Sequence, residues 1–204
     1  MRAGKDVFGA DAAGSPFIIY AYGKEVKVRN YALVAGDQLM DAIPIDDFAD
    51  GRYDLRVYGP NGFYRAFTGN RNDPAVAVSL DYEQAGGNGT SGSANAVVVG
   101  SALAGAQKLS GRIRVHLTNG DNTPSSIAVE IRDNYSKAAG GDTLHPLSGK
   151  SGSPNEKGVI LLDPASRYGW YDFTVTYGGH EPVEKRYAGR VETGKESFSD
   201  PAMG

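Results

Sequence analysis

The sequence has no cysteine, which excludes disulfides, thiolate catalysis and sulfur-ligated zinc. It also lacks a cationic excess: 21 Lys and Arg against 24 Asp and Glu give a formal charge of −3 at pH 7. Duplex affinity comes largely from basic side chains neutralising phosphates, and no basic stripe stands out, so no nucleic-acid partner is expected. No apolar run of about 18 residues is present, as a membrane-spanning helix would need. The opening Met1-Arg2-Ala3-Gly4-Lys5-Asp6 lacks the apolar stretch of a signal peptide, so any export signal is expected elsewhere. Long helices are disfavoured as well, because 28 Gly and 10 Pro interrupt the chain every few residues.

What the chain does have is a repeat. Gly51-Arg52-Tyr53-Asp54-Leu55-Arg56-Val57 recurs as Gly169-Trp170-Tyr171-Asp172-Phe173-Thr174-Val175, with Tyr53 and Tyr171 118 residues apart. Phe67-Thr68-Gly69 matches Tyr187-Ala188-Gly189 at an offset of 120, so the intervening turn is two residues longer in the second copy. Both copies alternate apolar and polar residues with the period of a half-buried strand. Tyr53, Leu55 and Val57 face a core, as do Tyr171, Phe173, Val175 and Tyr177. Further strands are expected at Phe17 to Tyr22, Lys27 to Val34, Ala75 to Tyr82, Arg112 to Leu117 and Ile127 to Ile131. Asn61-Gly62 favours a tight hairpin, since both central residues of a type I′ turn need positive φ; Gly178-Gly179 takes that part in the second copy.

The expected class is all-β, with two tandem immunoglobulin-like sandwiches. The first covers residues 1–85, with a shortened opening strand that suggests a chain starting inside a domain. Residues 86–107 form a Gly/Ser-rich linker and a small apolar segment, and residues 108–204 form the second sandwich. Tyr53 and Tyr171 are candidate tyrosine corners, or simply buried aromatics.

No catalytic constellation emerges. His116, His145 and His180 are scattered and fit surface or structural roles, and no Gly-x-Ser-x-Gly elbow precedes a helix. Asp46-Asp47-Phe48-Ala49-Asp50-Gly51 clusters carboxylates, but the spacing does not follow an EF-hand, and a solvated corner loop is the simpler reading. Catalytic, metal and cofactor sites are therefore not expected. Asp54 and Asp172 recur on the outward face, where cross-strand pairing with Arg65 and Arg186 is expected. Aromatics gather at turns: Tyr58, Phe63 and Tyr64 around Asn61-Gly62, and Tyr168, Trp170 and Tyr171 in the second copy. Such rings can hold a quaternary ammonium or settle at a lipid–water boundary. Alternation sends Tyr171 and Phe63 inward, which leaves Tyr58, Tyr64, Tyr168 and Trp170 as candidates for lipid or choline contact.

Ala32 to Leu39, Asp50 to Leu55, Gly59 to Phe63 and Arg65 to Gly69 resemble the C-terminal repeat domain of bacterial phosphocholine-specific phospholipase C. The runs Gly169 to Val175, Arg186 to Gly194 and Ser199-Asp200-Pro201 resemble the end of the same enzymes, which carry two such domains in tandem. The resemblance implies a secreted or periplasmic bacterial parent. Its N-terminal phosphodiesterase domain would release phosphocholine from phosphatidylcholine or sphingomyelin. None of that domain's catalytic or metal-binding residues has a counterpart here. The chain would then be a non-catalytic accessory region whose partners are that domain and a phospholipid surface. The alternatives are a purely structural or export-stabilising module and a carbohydrate-binding sandwich. The Gly-, Ser- and Pro-rich segment Asp142 to Glu156 departs from the first copy.

Overall fold

A computed structural model describes residues 1–5, 8–85, 109–120, 126–136, 143–147, 153, 156–178, 181–193, 196 and 198–203. The expected linker at 86–107, together with Gly179 and His180, lies outside the described residues, as do most of residues 142–156. The described strands are β1 Ser15–Tyr22, β2 Val26–Leu33, β3 Arg52–Tyr58, β4 Tyr64–Asn70, β5 Val76–Gln84, β6 Leu109–Asn119, β7 Ile127–Asp133, β8 Thr143–Leu147, β9 Lys157–Leu162, β10 Trp170–Tyr177 and β11 Val183–Arg190. The fold is all-β, as the alternation and turn residues require. Two sheets form a sandwich-like arrangement, one of eight strands in the order β2-β1-β3-β4-β11-β10-β7-β8 and one of three in the order β5-β6-β9.

The two repeats share the large sheet. β4 of the first copy pairs antiparallel with β11 of the second, from Tyr64↔Ala188 to Thr68↔Glu184. On the inner side, Val129, Ile131, Tyr171, Phe173, Val175 and Tyr177 pack against Ile113, Val115 and Leu117 of β6 and Ile160 of β9. β5, which the sequence reading places with residues 1–85, hydrogen-bonds to β6 and adds Val76 to this second core. The inner side of the first copy has a smaller cluster of Ala3, Phe17 and Leu33, with Val57 and Phe63 against it. Residues 36–51 help cover it: Arg29 and Tyr31 of β2 both bond to Asp41, and Phe48 is buried against Tyr53. Met1–Ala3 adds a short antiparallel pairing through Arg2↔Gln38.

Arg65 pins the seam. Register places it opposite Val57 and Tyr187 on the inner face, so it does not reach Asp54 as expected. Its Nη1 donates to the Ala188 carbonyl across the seam at 2.7 Å, and its Nη2 donates to the Tyr171 hydroxyl at 3.0 Å. The guanidinium also lies over the rings of Phe63, Tyr187 and Tyr171, at 4.2, 5.2 and 5.7 Å from their centroids. Counting outward residues along β4 gives Tyr64, Ala66 and Thr68; the expectation for Arg65 missed by one residue, which flips a strand side chain to the other face.

Arg65→Met keeps the bulk but removes the charged fork and its two long-range bonds. Urea unfolding is expected to show a loss of about 1.5–3 kcal/mol, and Arg65→Lys will not restore it because an ammonium lacks the planar fork. A second prediction concerns pH. Glu83 is buried, and hydrogen bonds from Ser110, then from Arg112 and Arg114, hold its carboxyl below the ordinary glutamate value. A depressed folded-state value adds stability that is full above the unfolded value, about 4.3, and is lost as pH falls through the folded one. Glu83→Gln should therefore flatten the acid limb of a stability–pH curve.

Candidate functional site

Strand register sorts the aromatic candidates. Tyr58 and Tyr64 are directly opposite each other on β3 and β4, on the outer face of the large sheet, with ring centroids 5.0 Å apart. Two tyrosines of β1 extend the group: Tyr20 meets Tyr58 edge-on at 5.7 Å and stacks near Tyr22 at 6.2 Å. Burial, with Tyr58 nearby, raises the pKa of the Tyr64 hydroxyl. Guanidiniums cover this row, Arg56 over Tyr22 at 4.6 Å and Arg186 over Tyr64 at 5.6 Å. Each is held by a bidentate carboxylate. Asp172 grips Arg186 at 2.8 and 2.5 Å, as the sequence suggests. Asp54 grips Arg56, two residues on along its own strand, at 3.0 and 2.8 Å. Between them a groove of about 490 Å³ crosses the seam over Ala66, Thr68 and Thr174.

Tyr168 and Trp170 occupy a second place. The Pro164 to Gly169 turn carries Tyr168 in the left-handed region at φ 57°, followed by Gly169 at 86°. An aromatic residue rarely adopts this conformation, because its Cβ crowds the backbone. Tyr168 is nevertheless 53% exposed, and its ring lies 4.4 Å from that of Phe198, which is 61% exposed. Trp170 lies beside them, its indole N–H donating to the Phe198 carbonyl at 2.9 Å. Its ring rests on the β3–β4 hairpin, where Asn61 and Gly62 both have positive φ, at 52° and 71°. Phe198 was missed because it sits in no alternating run, and only an isolated aromatic among polar residues marks it.

The remaining candidates have structural surroundings. The Tyr53 hydroxyl donates to Asp73 at 2.5 Å, while the Tyr171 hydroxyl accepts from Arg65 and its ring is buried. Phe63 packs edge-on against Phe17 at 5.6 Å. Asp46 and Asp47 face Arg71 and Lys27, each at 3.0 Å. His116 Nε2 lies 3.2 Å from Asp81; the His145 side chain and His180 lie outside the described residues. Among the described residues, no group of three or more His, Asp or Glu is arranged to hold a metal.

Residues 6–70 match the family described as bacterial phospholipase C, C-terminal domain. The chain is 29% identical over 200 residues to a non-hemolytic phospholipase C of Pseudomonas aeruginosa, covering 94% of this chain and 24% of that protein. It is 30% identical over 187 residues to a hemolytic phospholipase C of the same organism, covering 86% of this chain and 21% of that protein. A non-hemolytic phospholipase C of Burkholderia pseudomallei is 31% identical over 151 residues, 74% of this chain and 18% of that protein. The chain thus spans about a fifth to a quarter of these relatives' lengths.

The sole tryptophan reports on the hairpin beneath it. A Cβ on Gly62 would come 2.6 Å from the Trp170 ring, at a φ that already disfavours a side chain. Gly62→Ala should lower stability by about 1–2 kcal/mol and red-shift Trp170 emission as the ring is lifted into water; an unchanged spectrum would contradict this packing. By these matches, residues 6–70 correspond to the C-terminal domain of bacterial phospholipase C, and most of the chain is similar to phospholipases C of this kind.

Proposed function

We propose that the chain is the non-catalytic C-terminal accessory region of a secreted phospholipase C that hydrolyses phosphatidylcholine or sphingomyelin to phosphocholine. It packs on the enzyme's catalytic portion and brings that portion to the phospholipid surface. Its lipid contact is the cluster Tyr168, Trp170 and Phe198. Support comes from one observation above the others: Tyr168 stands largely exposed in a backbone conformation where glycine would be cheaper. Strained residues that persist on a surface are drawn to ligand contacts. Tyr and Trp combine an apolar ring with a polar tip, which suits the headgroup level of a bilayer, and ring faces attract a quaternary ammonium. Arg190, its side chain buried and paired with Glu192 at 3.1 Å, donates to the Tyr168 carbonyl at 3.2 Å and so holds the turn that presents the rings.

Tyr168→Gly separates function from folding. It relieves the left-handed strain, so thermal stability is expected to hold or rise. Co-sedimentation with phosphatidylcholine vesicles is expected to drop several-fold, and Phe198→Ala to do the same. Lipid binding that survives both substitutions, or that is absent from the unaltered protein at high lipid, would reject the membrane role and leave a purely structural module.

A further inference from the structure

The outer face of the large sheet has a composition that lipid contact does not explain. Register gives its central row as Val28, Tyr20, Arg56, Ala66, Arg186, Thr174 and Arg132, crossing both repeats. Tyr22, Tyr58 and Tyr64 flank the row. None of the outward positions of β1 to β4, β7, β10 and β11 is lysine; Lys27 and Lys185 both fall on the inward register. Tyr and Arg are enriched, and Lys depleted, where proteins dock on proteins. At the β1–β2 end the face is apolar and open: Ile18, Tyr22, Val26, Val28 and Tyr58 are all exposed.

The charges point the same way. Arg56 and Arg186 are already gripped bidentately by Asp54 and Asp172, so covering them costs less than covering bare cations. A bilayer is attracted by unpaired basic groups and entered by protruding apolar side chains. This face instead lies along the sheet and is hollowed by the groove over Ala66. Its size falls somewhat short of a free-standing protein interface. Eight strands at about 4.8 Å spacing and five paired residues at about 3.4 Å give roughly 600 Å². A stable interface takes about 800 Å² per partner.

We infer that this Tyr/Arg face is the docking surface for the phospholipase portion of the parent chain. The occupant is argued from length: the relatives are about four to nearly six times as long as the segment they share with this chain, so in a parent of that length a large polypeptide is tethered to it. Tethering raises the effective concentration of that partner, so even a polar face of moderate area stays covered. The inference rests on the reading of the chain as part of a phospholipase, and it deepens that reading by naming the contact. The lipid-facing rings at Tyr168 and Phe198 belong to a different place and are not used here.

The test is tyrosine nitration of the full-length parent enzyme, read by peptide mass spectrometry, with Tyr168 as the exposed internal reference. In the absence of lipid, Tyr22 and Tyr58 should resist nitration while Tyr168 reacts. A photoreactive phenylalanine analogue at position 58 should cross-link within one chain to the phospholipase portion, whereas the same analogue at Val159, exposed on β9 of the other sheet, should not. Free reaction of Tyr22 and Tyr58 overturns the proposal. So does protection that appears only on adding phosphatidylcholine vesicles, which would give this face to lipid, or a cross-link between two copies, which would give it to a dimer. Loss of vesicle binding in Tyr168→Gly tests the lipid contact alone and leaves the docking result unaffected.

Discussion

The pairing of β4 with β11 is the constraint from which the other features follow. Two repeats of modest size each leave an open sheet edge, and an open edge invites pairing with another chain. Here the last strand of one copy satisfies the last strand of the other, five residues deep. Backbone bonds alone would not fix which strands meet. Arg65 adds that specificity, because its fork reaches Ala188 and Tyr171 of the second copy while its flat face rests on Phe63 of the first. The seam then decides what lies outside it: the groove over Ala66 exists because a strand of each copy contributes one wall.

The asymmetry between the two halves follows from their inner faces. The second copy is roofed by β5, β6 and β9, which bury a large cluster around Phe173 and Val115. Among the described residues, the first is covered by residues 36–51 and Met1–Ala3, and its buried cluster is correspondingly small. Since burial of apolar area supplies most of the folding free energy, the first half depends on the shared sheet for its stability. This division also places the aromatic groups. Tyr20, Tyr58 and Tyr64 lie flat on the shared sheet, and Tyr168, Trp170 and Phe198 gather where the β3–β4 hairpin meets the start of β10.

Much of the fold was legible in the sequence because strands leave a period-two record. Tyr171, Phe173, Val175 and Tyr177 are buried as their alternation requires, and Asn61-Gly62 turns with positive φ at both residues. Pairing between distant strands leaves no such record. Nothing in β4 or β11 announces that they meet, nor in β5 that it joins β6. Side chains went astray by the same logic: Arg65 was given to the outer face by a miscount of one residue. Of the aromatic candidates, Tyr58 and Tyr64 fall together, as do Tyr168 and Trp170. Phe198, in an irregular segment, has no periodicity to betray it.

Native-state hydrogen exchange along the seam tests the shared sheet most directly. If β4 and β11 are central strands of one cooperative body, the amides of Tyr64–Thr68 and Glu184–Ala188 exchange only through global unfolding, as slowly as those around Phe173. Fast exchange in both segments, at the rate of open edge strands and with the second core still protected, would show that the repeats do not share a sheet.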